Sequence, residues 1–356
     1  MNDMTLKARR SFLQAGGALA LGCLLPGVLR AASTVPIADS HTHIGLFSNK
    51  VQGGTLKAQM QEAGVSLLAW TISADGRWTR RTDNGIQQVR VPEPGEQAAF
   101  VREKLAAMRG YLDRYGPPRV LKPEDLDASR AGTPQVVMAL EGASFVADGI
   151  ELLDEVYAQG VRHLQLMHYI RSALGDFQTE APEHNGLTEL GARTIQACNR
   201  MGILVDLAHS TQADMDRALQ VSKVPMIWSH SSITGAQYTW QRSSAYSRLL
   251  YIDYAKKIAD SGGAIGLWAL RNTVRDSPAG YATELMRMVD LVGAEHVMFG
   301  TDTDGMGPYA AIEQLIDLRR VADELQQRGM DDKSLRAVCF GNYARCLKAA
   351  MVARAA

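Results

Sequence analysis

Short, nearly continuous apolar runs alternate along this chain with longer amphipathic stretches, the pattern of buried parallel strands separated by covering helices. Strands are predicted at Pro36–Ala38, Ser66–Ile72, Gln135–Leu140, His163–Met167, Gly202–Ala208, Pro225–Ser229, Ala264–Trp268 and His296–Gly300. Helical stretches between them include Ala98–Tyr115, Ile150–Gln159, Thr188–Met201 and Tyr281–Val292. Gly160, Gly202 and Gly293 stand where helices should stop, because glycine readily takes the left-handed conformation that ends a helix. Thr211 and Asp214 have the spacing of a capping box and should open a helix after the fifth strand. Eight strands in alternation with helices count out a closed (β/α)8 TIM barrel. The stretch from Arg77 to Pro134 is longer than a simple connection and is expected to form part of a lid over the barrel mouth.

Residues 1–33 are a different kind of sequence. A paired arginine, Arg9-Arg10, precedes Ser11-Phe12-Leu13, an apolar run from Ala15 to Leu29, and the small residues Ala31-Ala32-Ser33. This reads as a cleaved twin-arginine export signal, which sends a folded protein to the periplasm through the Tat machinery. A membrane anchor is the alternative, but glycines interrupt an apolar run too short to span a bilayer. The barrel is assigned to residues 34–356. Lys plus Arg balance Asp plus Glu at 38 each, so no strong field exists to hold nucleic acid or an anionic membrane. Outside the signal, Cys198, Cys339 and Cys346 form no Cys-x-x-Cys, so they read as buried small hydrophobes, not as a disulfide framework or thiolate metal site.

Chemistry-bearing residues gather just past the predicted strands. Strand one runs into Asp39-Ser-His41-Thr-His43, strand three into Glu141, strand four into His168, strand five into His209, strand six into His230, and strand eight into Asp302-Thr-Asp304. Five of eight histidines therefore fall where barrel enzymes place their reactive groups. His41 and His43, two apart, face the same way on a strand and can reach one metal. His209 and His230 would be neighbours on adjacent strands, ready to hold a second. Glu141, costly to bury alone, is placed to bridge two cations. Asp302 is the natural proton shuttle, with Asp304 as its competitor.

Asp39-x-His41, Leu140-Glu141-Gly142, Leu166-x-His168, Gly186-Leu187-Thr188-x-x-Gly191, Asp206-Leu-Ala-His209, Trp228-Ser-His230-Ser-Ser and Gly300-Thr-Asp302-x-Asp304-Gly305 occur in this order. Together with Gly341-Asn342-Tyr343-x-Arg345, they resemble the membrane (renal) dipeptidase family of zinc peptidases, within the metal-dependent hydrolase superfamily. The resemblance implies a barrel with two zinc ions that cleaves dipeptides and accepts a C-terminal D-residue. It implies that His41 and His43 hold the first zinc, Glu141 bridges, and His209 with His230 hold the second. It further implies attack by a metal-bound hydroxide, Asp302 moving the proton, and His168 binding substrate and stabilising the oxyanion.

Two departures from that pattern matter. The family has Asp where this chain has His43, which raises the charge of the first metal site by one unit and leaves open whether two ions or one are held. The family's carboxylate-binding arginine lies about eleven residues after the last ligand histidine; here that offset is Gln241. Arg242, one further on, is the first choice for the substrate carboxylate, with Arg248 next. The expectation is a periplasmic zinc dipeptidase, able to form a homodimer. Its alternatives are a diverged amidohydrolase acting on another small amide in metabolite maturation, and a catalytically silent ligand-binding relative.

Overall fold

The computed structural model describes residues 34–47, 54–83, 85–242 and 244–354; the expected export signal lies outside the described residues. Eight strands pair in chain order, every pair parallel: β1 Ile37–Thr42, β2 Val65–Ser73, β3 Gln135–Glu141, β4 Val161–Gln165, β5 Leu204–Asp206, β6 Ile227–Ser231, β7 Ala264–Leu267 and β8 Val297–Phe299. The ring closes just above β8. The Asp302 N–H donates to the His41 carbonyl and the His43 N–H to the Thr303 carbonyl, both at 2.9 Å. Parallel strands buried on both faces need covering helices. These are α1 Leu56–Ala63, α2 Glu96–Tyr115, α3 Leu152–Ala158, α4 Glu189–Met201, α5 Gln212–Val221, α6 Ile252–Asp260, α7 Pro278–Val292 and α8 Leu315–Gln327. Thr211 and Asp214 make the expected capping box on α5, and Gly202 ends α4 in the left-handed conformation. None of the described helices is long and apolar enough to cross a membrane.

A further helix, α9 (Asn342–Ala353), seals the lower end of the barrel. Tyr343, Leu347 and Met351 lie one helical turn apart and pack on the inward residues Ala38, Leu67, Val137, Leu204 and Met298. Asn342 Nδ2 donates to the carbonyls of Ala294 and Val297 at 2.7 Å, and Arg345 Nη2 to the Glu295 carbonyl at 2.9 Å. The Gly341–Arg345 signature is thus a joint between α9 and the barrel floor. Cys198, Cys339 and Cys346 are buried free thiols, as expected.

The predicted boundary of β1 needs correction. The strand does not stop at Ala38 but carries Asp39, Ser40 and His41, all buried. Their polarity is met across the barrel. Asp39 accepts from Thr301 N (3.0 Å) and Oγ1 (2.6 Å), and Ser40 Oγ donates to the Phe299 carbonyl at 2.7 Å. The long Arg77–Pro134 insertion also divides. Its hairpin, Thr79–Thr82 with Gly85–Gln88, reaches over the mouth: Arg81 Nη2 donates to the Gly305 carbonyl (3.3 Å) and Gln88 Oε1 accepts from Arg171 N (3.0 Å). By contrast, α2 packs on the flank, its Val101, Leu105, Met108 and Leu112 in the outer core. It is not part of a lid.

Candidate metal centre

Above the apolar floor the barrel interior becomes polar. His163 Nε2 donates to Asp206 Oδ2 at 3.2 Å, and Asp206 Oδ1 accepts from the N–H groups of Ala208 (2.9 Å) and Ser229 (3.0 Å). Over this layer stands Glu141, at the last residue of β3 and almost fully buried. Its Oε1 lies 3.4 Å from His41 Nε2, 3.4 Å from His209 Nε2 and 3.7 Å from His230 Nε2. Its Oε2 lies 3.3 Å from His43 Nε2 and 3.2 Å from His168 Nε2. One carboxylate thus faces five imidazoles contributed by β1, β4, β5 and β6 or the turns after them. His41 and His43 Nε2 are 3.2 Å apart, His209 and His230 Nε2 are 3.1 Å apart, and Asp302 Oδ1 is 3.4 Å from His43 Nε2.

Those separations decide what the cluster can hold. Donors at about 2.0–2.1 Å on the corners of a tetrahedral zinc ion stand roughly 3.3 Å from one another. The donor triangles Glu141–His209–His230 and His41–His43–Asp302 have edges of 3.1–3.9 Å, so each fits around an ion of that size. The donor set is imidazole and carboxylate without thiolate, which suits zinc and its first-row neighbours.

Most of the remaining ring nitrogens are held from behind, as those of metal-binding imidazoles commonly are. His43 Nδ1 donates to the Thr71 carbonyl at 2.8 Å, which leaves Nε2 free to coordinate. His230 Nδ1 pairs with Ser229 Oγ at 2.8 Å. His168 Nδ1 lies 2.6 Å from Asp75 Oδ1. His209 Nδ1 is buried with no hydrogen-bond partner among the protein groups. Burial drives His209 well below the ordinary histidine range, assisted by the Arg248 charge; burial, then His41 and Arg248, do the same to His230. Both rings are therefore neutral and able to coordinate. Burial opposes charge on His43 too, but hydrogen bonds to Asp302 and Glu141 overcome it and raise the ring to about 10. His168 is raised against its burial by Asp75 and Glu141. Glu141, though burial would raise it, is held well below the carboxylate range by His168 and His41.

Backbone strain aims two of these groups. His209 (φ 71°) and Asp302 (φ 55°) are non-glycine residues in the left-handed region, a conformation kept where the surroundings enforce it. Asp302 remains partly open, with 16% of its side-chain surface exposed, while the histidines at the cluster are buried. Asp304 points elsewhere, its Oδ2 accepting from the Phe47 N–H at 3.1 Å.

The structure brings His41, His43, Glu141, His168, His209, His230 and Asp302 together. It does not bring Arg242, which is exposed; sequence offset gave no measure of where the loop after β6 would carry it. Arg248 is instead buried beside the cluster. Its Nη1 is 3.3 Å from Tyr169 Oη, its Nε 3.2 Å from Gln178 Oε1, and its Nη2 has no hydrogen-bond partner. Sequence reasoning also missed Asp75, which braces His168 and accepts from the Tyr169 N–H at 3.0 Å. It sits two residues past β2, so the rule of inspecting each strand end would have flagged it.

Known proteins resemble this chain in sequence and fold. The sequence profile of the membrane dipeptidase family (peptidase family M19) matches residues 33–356. Dipeptidase verJ of Clonostachys rogersoniana is 28% identical over 242 residues, covering 67% of this chain and 60% of that protein. Dipeptidase aclJ of Aspergillus oryzae is 28% identical over 274 residues, covering 72% of this chain and 63% of that one. This chain thus spans less than two thirds of the length of these curated relatives. Among solved structures, a metallo peptidase from Rhodobacter sphaeroides liganded with a phosphinate mimic of L-Ala-D-Ala has the same fold, with a TM-score of 0.72 at 20% identity and coverage of 89% and 100%. The probable dipeptidase PvdM from Pseudomonas aeruginosa superposes with a TM-score of 0.73 at 16% identity, over 90% of this chain and 96% of that one. This chain belongs to the membrane dipeptidase family, peptidase family M19.

Proposed function

We propose that the protein is a zinc-dependent dipeptidase, able to accept a C-terminal D-residue, that holds two ions through His41, His43, Glu141, His209 and His230. The observation that carries this reading is the Glu141 carboxylate facing four imidazole Nε2 atoms of those residues at 3.3–3.7 Å, with Oε1 turned toward His41, His209 and His230 and Oε2 toward His43. Zinc bound there would supply Lewis acidity and bring the pKa of an attacking water toward neutrality.

The chain's own residues account for the remaining steps. Asp302, at the cluster yet partly open to the mouth, takes the proton of the attacking water and hands it to the departing amine. His168, its charge sustained by Asp75, donates Nε2–H to the carbonyl oxygen as negative charge develops there. Arg248 holds the substrate carboxylate, with its unpaired Nη2 the free donor and Tyr169 and Gln178 fixing its plane. The export signal supports a periplasmic location reached by the Tat route.

The test is metal analysis of protein purified without chelator, together with a dipeptide panel that includes D-terminal members. Close to two zinc equivalents, with turnover abolished by chelation, is the expected result; occupancy near one would locate the effect of His43 at the first site. Protein without tightly bound metal would refute the reading. A diverged amidohydrolase remains a second reading, favoured by His43 and by the displaced arginine; intact metal content with turnover of other amides, but of no dipeptide, would select it.

A further inference from the structure

His163 is a buried titratable group that the proposed reaction does not use. It sits in the middle of β4, 1% exposed, on the boundary between the apolar floor and the metal centre. An apolar side chain would fill such a position without any polar cost, and the inward residues of the floor, Leu67, Val137, Leu204 and Met298, are of that kind. His163 instead completes a chain of hydrogen bonds. The Tyr343 hydroxyl stands 3.1 Å from its Nδ1, and Asp206 Oδ2 3.2 Å from its Nε2. Burial holds the Tyr343 phenol well above its ordinary range, so it keeps a proton to donate to Nδ1. The ring proton therefore rests on Nε2, aimed at Asp206.

Asp206 ends β5, a strand of three residues. β5 and β6 share a single registered pair, Asp206 with Ile227, followed by one backbone bond from Leu207 N–H to the Ile227 carbonyl at 2.8 Å. Beyond that point a side chain makes the seam. Asp206 Oδ1 accepts from Ala208 N at 2.9 Å and from Ser229 N at 3.0 Å, the residues immediately before His209 and His230. Ser229 Oγ in turn pairs with His230 Nδ1. One carboxylate oxygen thus sets the spacing of the two backbones whose histidine Nε2 atoms meet at 3.1 Å. His209, with φ 71°, is in a conformation that its surroundings must enforce. A carboxylate free to swing could not hold this spacing, and the His163 bond to Oδ2 removes that freedom.

We propose that His163 is a positioning residue of the second metal site: by fixing Asp206 it sets the separation of His209 and His230. This inference rests on the reading of that pair as zinc ligands.

The experiment reloads metal-free, full-length protein with zinc in competition with a chromophoric chelator. His163→Leu fills the position but cannot donate, whereas His163→Gln offers an Nε2–H to Asp206 and Oε1 to Tyr343. The ion at His209 and His230 is expected to bind about 10–100-fold more weakly in His163→Leu. A His43→Ala background, which removes a ligand of the first site, identifies that ion. His163→Gln is expected to recover most of the loss. Unchanged affinity in His163→Leu overturns the proposal, and so does a His163→Gln variant as weak as His163→Leu. His163→Met carries the test if His163→Leu folds poorly. The second readout needs no metal. Hydrogen–deuterium exchange over residues 204–210 and 226–232 should quicken in His163→Leu relative to β2 and β3, and return in His163→Gln. If wild type binds no zinc, the zinc reading fails separately and exchange alone decides. Quickening confined to those two segments then upholds His163 as the tie between them, and unchanged exchange overturns it.

Discussion

In the proposed reaction, four side chains at the cluster have separable roles. Asp302→Asn keeps the size of the residue but removes its basicity, so kcat should fall by about 10²–10⁴-fold while zinc stays bound; His209→Ala should lose metal and activity together. Near-normal turnover in Asp302→Asn would assign the proton to another group. Arg248→Met should raise KM far more than it lowers kcat, because it removes a charge that binds the carboxylate in ground and transition states alike. Arg242→Met, at an exposed position, should leave both unchanged; the opposite pattern would return the carboxylate to Arg242. His43 gives a pH dependence. Its ring is raised to about 10, so in the metal-free cluster it carries a proton at any lower pH, and an incoming cation must displace that proton. Apparent affinity at the first site should therefore rise with pH up to about 10 and level off above it. Calorimetric titration near neutrality in buffers of different ionisation enthalpy should show close to one proton released with that metal. No release would mean that His43 is not a ligand.

At the scale of elements, the site depends on how tightly β1 and β8 are laced. Asp39 binds Thr301, Ser40 binds the carbonyls of Ser229 and Phe299, and two backbone bonds join His41–His43 to Asp302–Thr303. Gly305 makes room at this seam: a Cβ there would run into the Asp302 carboxylate and stand 2.7 Å from His43 Cδ2. Gly305→Ala should therefore displace both groups, and a shift of that kind costs about 10²-fold in rate. Circular dichroism and melting temperature should stay close to wild type, since the seam itself is intact. Full activity in this variant would mean that the position of Asp302 is not critical.

At the scale of the whole molecule, floor and mouth divide the labour. The lower barrel is apolar and closed by α9, and the polar groups are stacked above it. Leu347, fully buried in the plug, should cost about 2–5 kcal/mol when changed to Ala, through lost burial and the cavity left behind. Activity per folded molecule should be preserved, because the plug lies at the opposite end from the metal centre. A variant that kept its stability but lost activity would show that the floor is coupled to the site.

The sequence by itself determined the barrel and most of the residues that the fold gathers at the candidate metal centre. The strands are buried on both faces, so each is a continuous apolar run, and a parallel barrel puts the residue after each run at one rim. That is why Glu141, His168, His209, His230 and Asp302 could be gathered before any fold was known. The length of β1 was hidden, because Asp39, Ser40 and His41 look like a loop until partners on β6 and β8 satisfy them. Asp75 became visible only in three dimensions, and Arg248, the second choice by sequence, moves ahead of Arg242 there, for their importance lies in what they touch across long separations in the chain: Asp75 is 93 residues from His168, and Arg248 79 residues from Tyr169. Counting from His230 put Arg242 first for the substrate carboxylate, whereas the structure leaves Arg242 exposed and buries Arg248 beside the cluster. Local pattern fixes which residues end a strand, since one run of backbone suffices for that. Which charge is desolvated, paired or left with a free donor is set by the elements packed around it, and that only the tertiary structure decides.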